Sequence, residues 1–337
     1  MVISVSRRPG PANESLVNSL LRSTVANTEM FQRRRLSSFQ RLALWTTAST
    51  YFLILVGGLV RASGAGLGCP DWPRCFGSWI PPASAAELPP QFDPSLFNPT
   101  LMWTEYLNRM LGITVGFLIL ATVISAWRHH RRDARILWTT VAALVLTGFQ
   151  GWLGGRVVAS ALTAWIVTIH MMLALVIVQL LLYATVRAWK RTDGLSSPFL
   201  IVLVLVTMIQ IAFGTQVRSA IDVAIENGVA RASALATAGP LDHLHRDLAL
   251  VVFGGCLLTV MWLTIRFPKE RALIRWAYVV AALATLQVAL GVSMAYISLE
   301  PAMQVGHLTV ASLLLGAETI LVLLARRGDR FERYSTF

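Results

Sequence analysis

The chain has 337 residues, of which 55% are hydrophobic and 14% charged, with a mean hydropathy of +0.61 and a formal charge of +12. Soluble domains carry about 25% charged residues, so a soluble α/β enzyme and a disordered chain are excluded, and three cysteines are too few for a disulfide-dense secreted scaffold. The composition is that of a polytopic membrane protein in contact with lipid, and the basic excess calls for no nucleic-acid partner, because such proteins concentrate Lys and Arg in their cytoplasmic loops.

In chain order, residues 1–41 form a basic tail with seven arginines and no signal-peptide cleavage pattern. Segments of about 20 apolar residues, enough to cross a hydrocarbon core, follow at 42–60, 105–127, 136–156, 162–186, 198–217, 244–265, 274–295 and 303–325. The expected class is therefore an all-α membrane protein of eight transmembrane helices. With the N-terminus inside, 22 of the 29 Lys and Arg fall on the cytoplasmic side. That asymmetry puts both termini in the cytoplasm. The remaining seven cations, Arg61, Arg74, Arg109, Arg156, Arg218, Arg231 and Arg246, lie toward the outer side, where topology does not ask for them.

The sequence repeats itself. A shift of 137 carries Glu105 onto Asp242, Asn108 onto His245, Arg109 onto Arg246, Gln150 onto Gln287, Gly154 onto Gly291 and His170 onto His307. A shift of 157 carries Ile54, Gly57, Val60 and Arg61 onto Ile211, Gly214, Val217 and Arg218, the difference being 20 extra residues in the first outer loop. Four helices per half keep both halves in the same orientation, so a pseudo-twofold axis along the membrane normal is expected. The predicted organisation is a cytoplasmic tail (1–41), an N-terminal four-helix bundle (42–186), a cytoplasmic linker (187–197), a C-terminal four-helix bundle (198–325) and a cytoplasmic tail (326–337).

Ionisable residues inside spans are costly and point to function. The spans carry His170, His245 and His307, with Glu105, Arg109, Asp242 and Arg246 at their outer ends. A lone intramembrane histidine usually serves as interhelical glue; its repetition at His170 and His307 argues for more. His245 and His307, on facing helices at similar depth, suit the axial ligation of haem iron. Arg218 and Arg246 in one half, and Arg61, Arg109 and Arg156 in the other, could pair with propionates or simply snorkel to headgroups. Glu318, near the inner end of the last helix, is a further candidate with access to water, whereas His129 and His130 belong to a solvated cytoplasmic loop and Cys256 to the core.

Five segments taken together resemble the haem A synthase family, membrane proteins that convert haem O to haem A for cytochrome oxidase. They are GGLVRASGAGLGCPDWPRC (57–75), EYLNRMLG (105–112), IHMMLALVIV from Ile169, LHRDLA from Leu244 and GHLTVASLLL from Gly306. The resemblance covers residues 42–325. It implies a C-terminal bundle holding haem b through His245 and His307. It also implies a catalytic N-terminal bundle that accepts haem O and oxidises its C8 methyl to a formyl, with Glu105 as the catalytic carboxylate and His170, Asn108, Arg61 and Arg109 around the substrate haem. A haem O synthase is implied as donor and cytochrome oxidase or its assembly factors as acceptor. The implied location is a prokaryotic inner membrane, with the sites near its outer face; self-association stays open. Cys69 and Cys75 match the family's loop cysteines, as a disulfide stapling the loop or as a redox pair; Pro70, Trp72, Pro73 and Trp79 give that loop a rigid, interfacial character.

One position departs from the family pattern: Asn108 stands where a histidine is usual. Asparagine is a poor ligand for haem iron, which leaves His170 alone or with a weak sixth ligand. Two other classes compete with the synthase reading. A dihaem or b-type cytochrome that only relays electrons would favour complete ligand pairs in both halves. A transporter would break its helices at mid-membrane.

Overall fold

The computed structural model describes residues 36–189 and 197–325. The expected tail regions 1–35 and 326–337 and the linker residues 190–196 lie outside the described residues. Among the described residues there are eight long apolar helices: α1 (Ser38–Ala62), α2 (Pro99–His130), α3 (Ala134–Ala159), α4 (Ala164–Trp189), α5 (Pro198–Glu226), α6 (Pro240–Arg266), α7 (Arg271–Tyr296) and α8 (Pro301–Ala325). Each coincides with one of the eight expected spans, and the chain is a multi-pass integral membrane protein.

Local chemistry explains where the helices begin. Four of the eight open on proline (Pro99, Pro198, Pro240 and Pro301), whose fixed φ and missing N–H suit the first helical position. Ser37 and Gln40 form a reciprocal capping box ahead of α1, and Asn98 and Asp133 cap α2 and α3 through their side chains. Asp133 also holds Arg187 of α4, with Arg187 Nε 3.0 Å from its Oδ1. Burial alone would push the Asp133 carboxyl up, but the hydrogen bond and charge of Arg187 hold it below its ordinary value.

Helices α1–α4 pack in a ring, α1 against α2, α2 against α3, α3 against α4 and α4 back against α1; α5, α6, α7 and α8 close a second ring in the same way. The two rings meet through α1 and α4 on one side and α5 and α8 on the other. Helix α8 is the centrepiece: 56% of its apolar window is buried, against 17–39% in the other seven. Leu175, Ile211, Ala311 and Leu315 form the apolar seam between the rings. Within the first ring, paired threonine hydroxyls, Thr46 with Thr122 (2.9 Å) and Thr47 with Thr185 (3.2 Å), satisfy one another between helices, as expected where lipid offers no partner.

The sharpest departure in helix bounds is α5, expected to stop at 217 but running to Glu226. Its extra turns are amphipathic. Ile221 and Ala224 pack with Val217, Ala238 and Leu299, while Asp222 faces two arginines, so the helix outlasts its purely apolar stretch.

Candidate haem site

The second ring encloses a cavity of about 380 Å³ lined on facing sides by His245 of α6 and His307 of α8. Their ring centroids lie 6.3 Å apart. Two imidazoles bound to opposite faces of one metal ion, each at about 2 Å, place their centroids roughly 6 Å apart, so the observed spacing matches an axial pair. Nδ1 of both rings is buried without a well-formed hydrogen bond. The rings rest on glycines: a methyl on Gly214 would lie 2.8 Å from His245 Cε1, and one on Gly291 would lie 3.4 Å from His307 Cε1. Gln210 of α5 donates from Nε2 to the His245 carbonyl oxygen at 2.7 Å, fixing the helix turn that carries the ligand.

Cations gather at one end of this cavity. Arg246 pairs with Asp242 (2.7 Å) and donates to the Tyr296 hydroxyl (3.2 Å). Arg218 reaches Asp222 at 2.6 Å through one terminal nitrogen, while the other, Nη1, is buried without a partner. Such an orphaned guanidinium N–H invites a carboxylate, because leaving it unpaired is costly. Arg61, expected beside the substrate haem of the first half, lines this second cavity, 3.2 Å from Asp222, and also faces the Met171 sulfur of α4 at 3.7 Å. Imidazole pair, apolar walls and arginine rim together fit a haem with its propionates at the arginine end.

The first ring repeats part of this design. His170 of α4 rests on Gly154, where a methyl would lie 3.4 Å from its Cε1, as at Gly291 and His307. Asn108 of α2 faces Gly57 as His245 faces Gly214, its Oδ1 4.0 Å from a methyl built there. Nδ1 of His170 and Oδ1 of Asn108 are both buried without a partner. Gln150 Nε2 donates to the His170 carbonyl oxygen at 2.9 Å.

Above these residues sits the 69–98 loop, closed by a Cys69–Cys75 disulfide. Glu105 is 4% exposed and bonded down: its Oε2 accepts from the Cys69 N–H at 2.8 Å and its Oε1 from Arg109, with Nε at 3.1 Å and Nη2 closer. Arg109 spends its remaining donors on the loop carbonyls of Asp71 and Arg74, both at 2.8 Å, and of Cys69 at 3.2 Å. Arg109, expected around the substrate, is thus the rivet that holds the loop to α2. Trp72 lies on Gly155, one residue from the glycine under His170, so the loop reaches the edge of the His170 site.

Asp222, Tyr296 and Gln210 are not marked in the sequence. The shift of 137 maps Gln150 onto Gln287 and is a usable signal for Gln150, and the i,i+4 spacing from Arg218 is a usable one for Asp222, whereas the reach of Arg61 from the other ring to Asp222 leaves no local trace.

A family model described as cytochrome oxidase assembly protein, COX15-CtaA, matches residues 40–319. Curated relatives carry the name heme A synthase. The Allorhizobium ampelinum protein is 31% identical over 36% of this chain and 38% of its own length, and that of Alkalihalophilus pseudofirmus is 31% identical over 44% and 45%. The Rhizorhabdus wittichii protein is 24% identical over 79% of this chain and 88% of its own length. The alignments to the first two thus span less than half of those relatives. The match over residues 40–319 takes in all or part of every one of the eight helices, and this chain belongs to the COX15-CtaA family of cytochrome oxidase assembly proteins.

Proposed function

We propose that the chain is a haem A synthase that oxidises the C8 methyl of haem O to the formyl of haem A. The observation that carries this reading is the His245–His307 pair facing across an apolar, arginine-rimmed cavity, repeated in the first ring with the second imidazole replaced by Asn108. In this reading the halves 42–186 and 198–325 descend from one duplicated unit about a pseudo-twofold axis. Family membership and the shared glycine–ligand contacts support that.

The second half holds haem b through His245 and His307, with Arg218 and Arg246 on its propionates and Arg61 as a third cation reaching in from the first half. A haem held between those two imidazoles would supply electron transfer. The first half takes haem O as substrate on His170, and a site with one strong ligand favours a molecule that must enter and leave. Arg109 and the Cys69 N–H orient the Glu105 carboxylate one helical turn from Asn108. A fixed carboxylate in a dry site stabilises positive charge developing at the methyl carbon, or takes a proton from attacking water. The disulfide-closed loop, tied to Glu105 and Arg109, shields that end from water. Both termini lie in the cytoplasm and the sites face the outer side of a prokaryotic inner membrane, a reading supported by the basic loops at the opposite end. A haem O synthase delivers the substrate, and cytochrome oxidase or its assembly factors receive the product.

Co-expression with a haem O synthase followed by chromatography of the extracted haems tests the activity. Haem A is expected, whereas unmodified haem alone would replace the synthase with an electron relay. Glu105→Gln is expected to lower haem A output at least about 100-fold, the usual scale for a lost acid–base or charge-stabilising group, while haem b stays bound. Unchanged output would remove Glu105 from the mechanism.

A further inference from the structure

Glu318 is 2% exposed on the most buried helix of the molecule, so it does not reach water as its position near the end of the last span suggested. Its Oε1 accepts from the Thr207 hydroxyl of α5 at 3.0 Å and faces the Cys256 thiol of α6 at 3.8 Å. Its Oε2 is buried without a partner. Helix α7 packs Ala277, Val280 and Ala284 into one apolar cluster with Leu314, Ala317 and Leu321 of α8; α1 brings the Tyr51 hydroxyl to Gly316, and α4 brings Leu182 to the same glycine. Among the described residues, Glu318 forms no ion pair with a Lys, Arg or His. A carboxylate in such a place is expensive, and the apolar repeat partner at the same shift, Leu181, shows that packing does not require an acid here.

Thr207 links this acid to the haem cavity. Its side chain bonds Glu318 while the residue itself lines the floor of the cavity, beside Gln210 and Leu314. Glu318 follows His307 by eleven residues on one helix, a rise of about 16 Å, far enough to leave ligation undisturbed. It is still close enough to feel a change of charge at the iron in a medium of low dielectric.

Resting on the haem b reading above, we propose that Glu318 is the redox-linked proton acceptor of the second half. Oxidised haem carries one positive charge more than reduced haem, which offsets the cost of an ionised Glu318. When a one-electron donor reduces the iron, that compensation is lost, and the carboxylate takes one proton from water admitted at the arginine rim and passed by the Thr207 hydroxyl. Reoxidation returns the proton. One electron and one proton move together, and the second half meets each electron with no net change of buried charge.

The test is a redox titration of the full-length, haem-loaded protein at several pH values. The midpoint of the C-terminal haem is expected to fall as pH rises through the range in which Glu318 titrates, with a slope that is a fraction of the limit of about 59 mV per pH unit for one proton and one electron. Glu318→Gln is expected to keep the haem spectrum and flatten that slope. It should also remove a carboxylic C=O band from the redox-difference infrared spectrum, which a merely structural residue would not contribute. A pH-independent midpoint in the unaltered protein, or an unchanged slope in Glu318→Gln, would overturn the proposal. Should that variant lose its haem, Thr207→Val decides: without the hydroxyl that steadies the ionised carboxylate, the pH-dependent stretch of the midpoint should move to higher pH, and an unmoved stretch overturns the proposal. Material with no Soret band would instead overturn the haem reading itself, so the two failures are told apart.

Discussion

The two halves share a plan and differ in what completes it. In the second, both glycine-backed positions carry imidazoles, a cavity lies between them and three arginines reach its rim. In the first, one imidazole has become an amide, and the arginine corresponding to Arg246 is turned to a disulfide-closed loop and to Glu105. The same helix start, acid then arginine four residues on, thus serves two ends. Asp242 and Arg246 stay at a cavity mouth, while Glu105 and Arg109 fasten a lid. In the proposed reading, two halves can keep the same helix packing, which is constrained everywhere, while a few polar positions separate a permanent haem holder from an exchanging site.

The strongest way to break this comparison is to remove one ligand from the half in which both are present. His245→Ala or His307→Ala is expected to abolish the absorption of the C-terminal haem; if both variants retain it, the pair does not hold the iron. Next comes restoring the missing member. Asn108→His is expected to give the first half two imidazoles, converting its haem to a six-coordinate low-spin spectrum and tightening retention about tenfold, near 1.4 kcal/mol, at the expense of turnover. An unaltered spectrum would show that position 108 does not face the iron.

Finer still are the glycine cradles. Gly214→Ala places a methyl 2.8 Å from His245, whereas Gly291→Ala places one 3.4 Å from His307. Overpacking of the first kind costs about 1–3 kcal/mol, so Gly214→Ala should weaken haem binding about tenfold and Gly291→Ala distinctly less. Equal losses in haem titrations would contradict the difference in clearance between the two cradles.

The smallest expected effect lies at the opposite end of the first ring, at Asp133 and Arg187. Because the folded carboxyl is held below its unfolded value, its contribution to stability is full above the ordinary carboxylate range, near pH 4. It is lost as pH falls through the folded value. Asp133→Asn keeps a good helix cap but should lower the melting temperature slightly at neutral pH and not in strong acid. Equal shifts at both would assign the effect to the cap rather than to the ion pair.

Much of the architecture is legible without coordinates. Spans must be apolar for about 20 residues in any bilayer, so all eight appear in composition alone. The histidines stand out because polar groups are rare there, and the offset of 137 survives in polar positions that hydrophobic drift would not align. The extension of α5 to Glu226 does not appear, because amphipathic turns beyond the apolar stretch read as loop. Nor does the destination of Arg61, since which ring an arginine at a helix end enters depends on the packing of α1 against α8.

The sequence by itself determined the membrane class and the number of crossings and marked the intramembrane histidines and the offset of 137 between polar positions, because each follows from hydropathy or from spacing along the chain. Only the tertiary structure decided that Arg61 lines the cavity of the second ring, that Arg109 and Glu105 are tied to the loop, and that Glu318 is buried while touching the floor of a cavity through Thr207. Those outcomes depend on which helices are neighbours and how they rotate, and contacts between side chains more than a hundred residues apart leave no periodic trace in the chain.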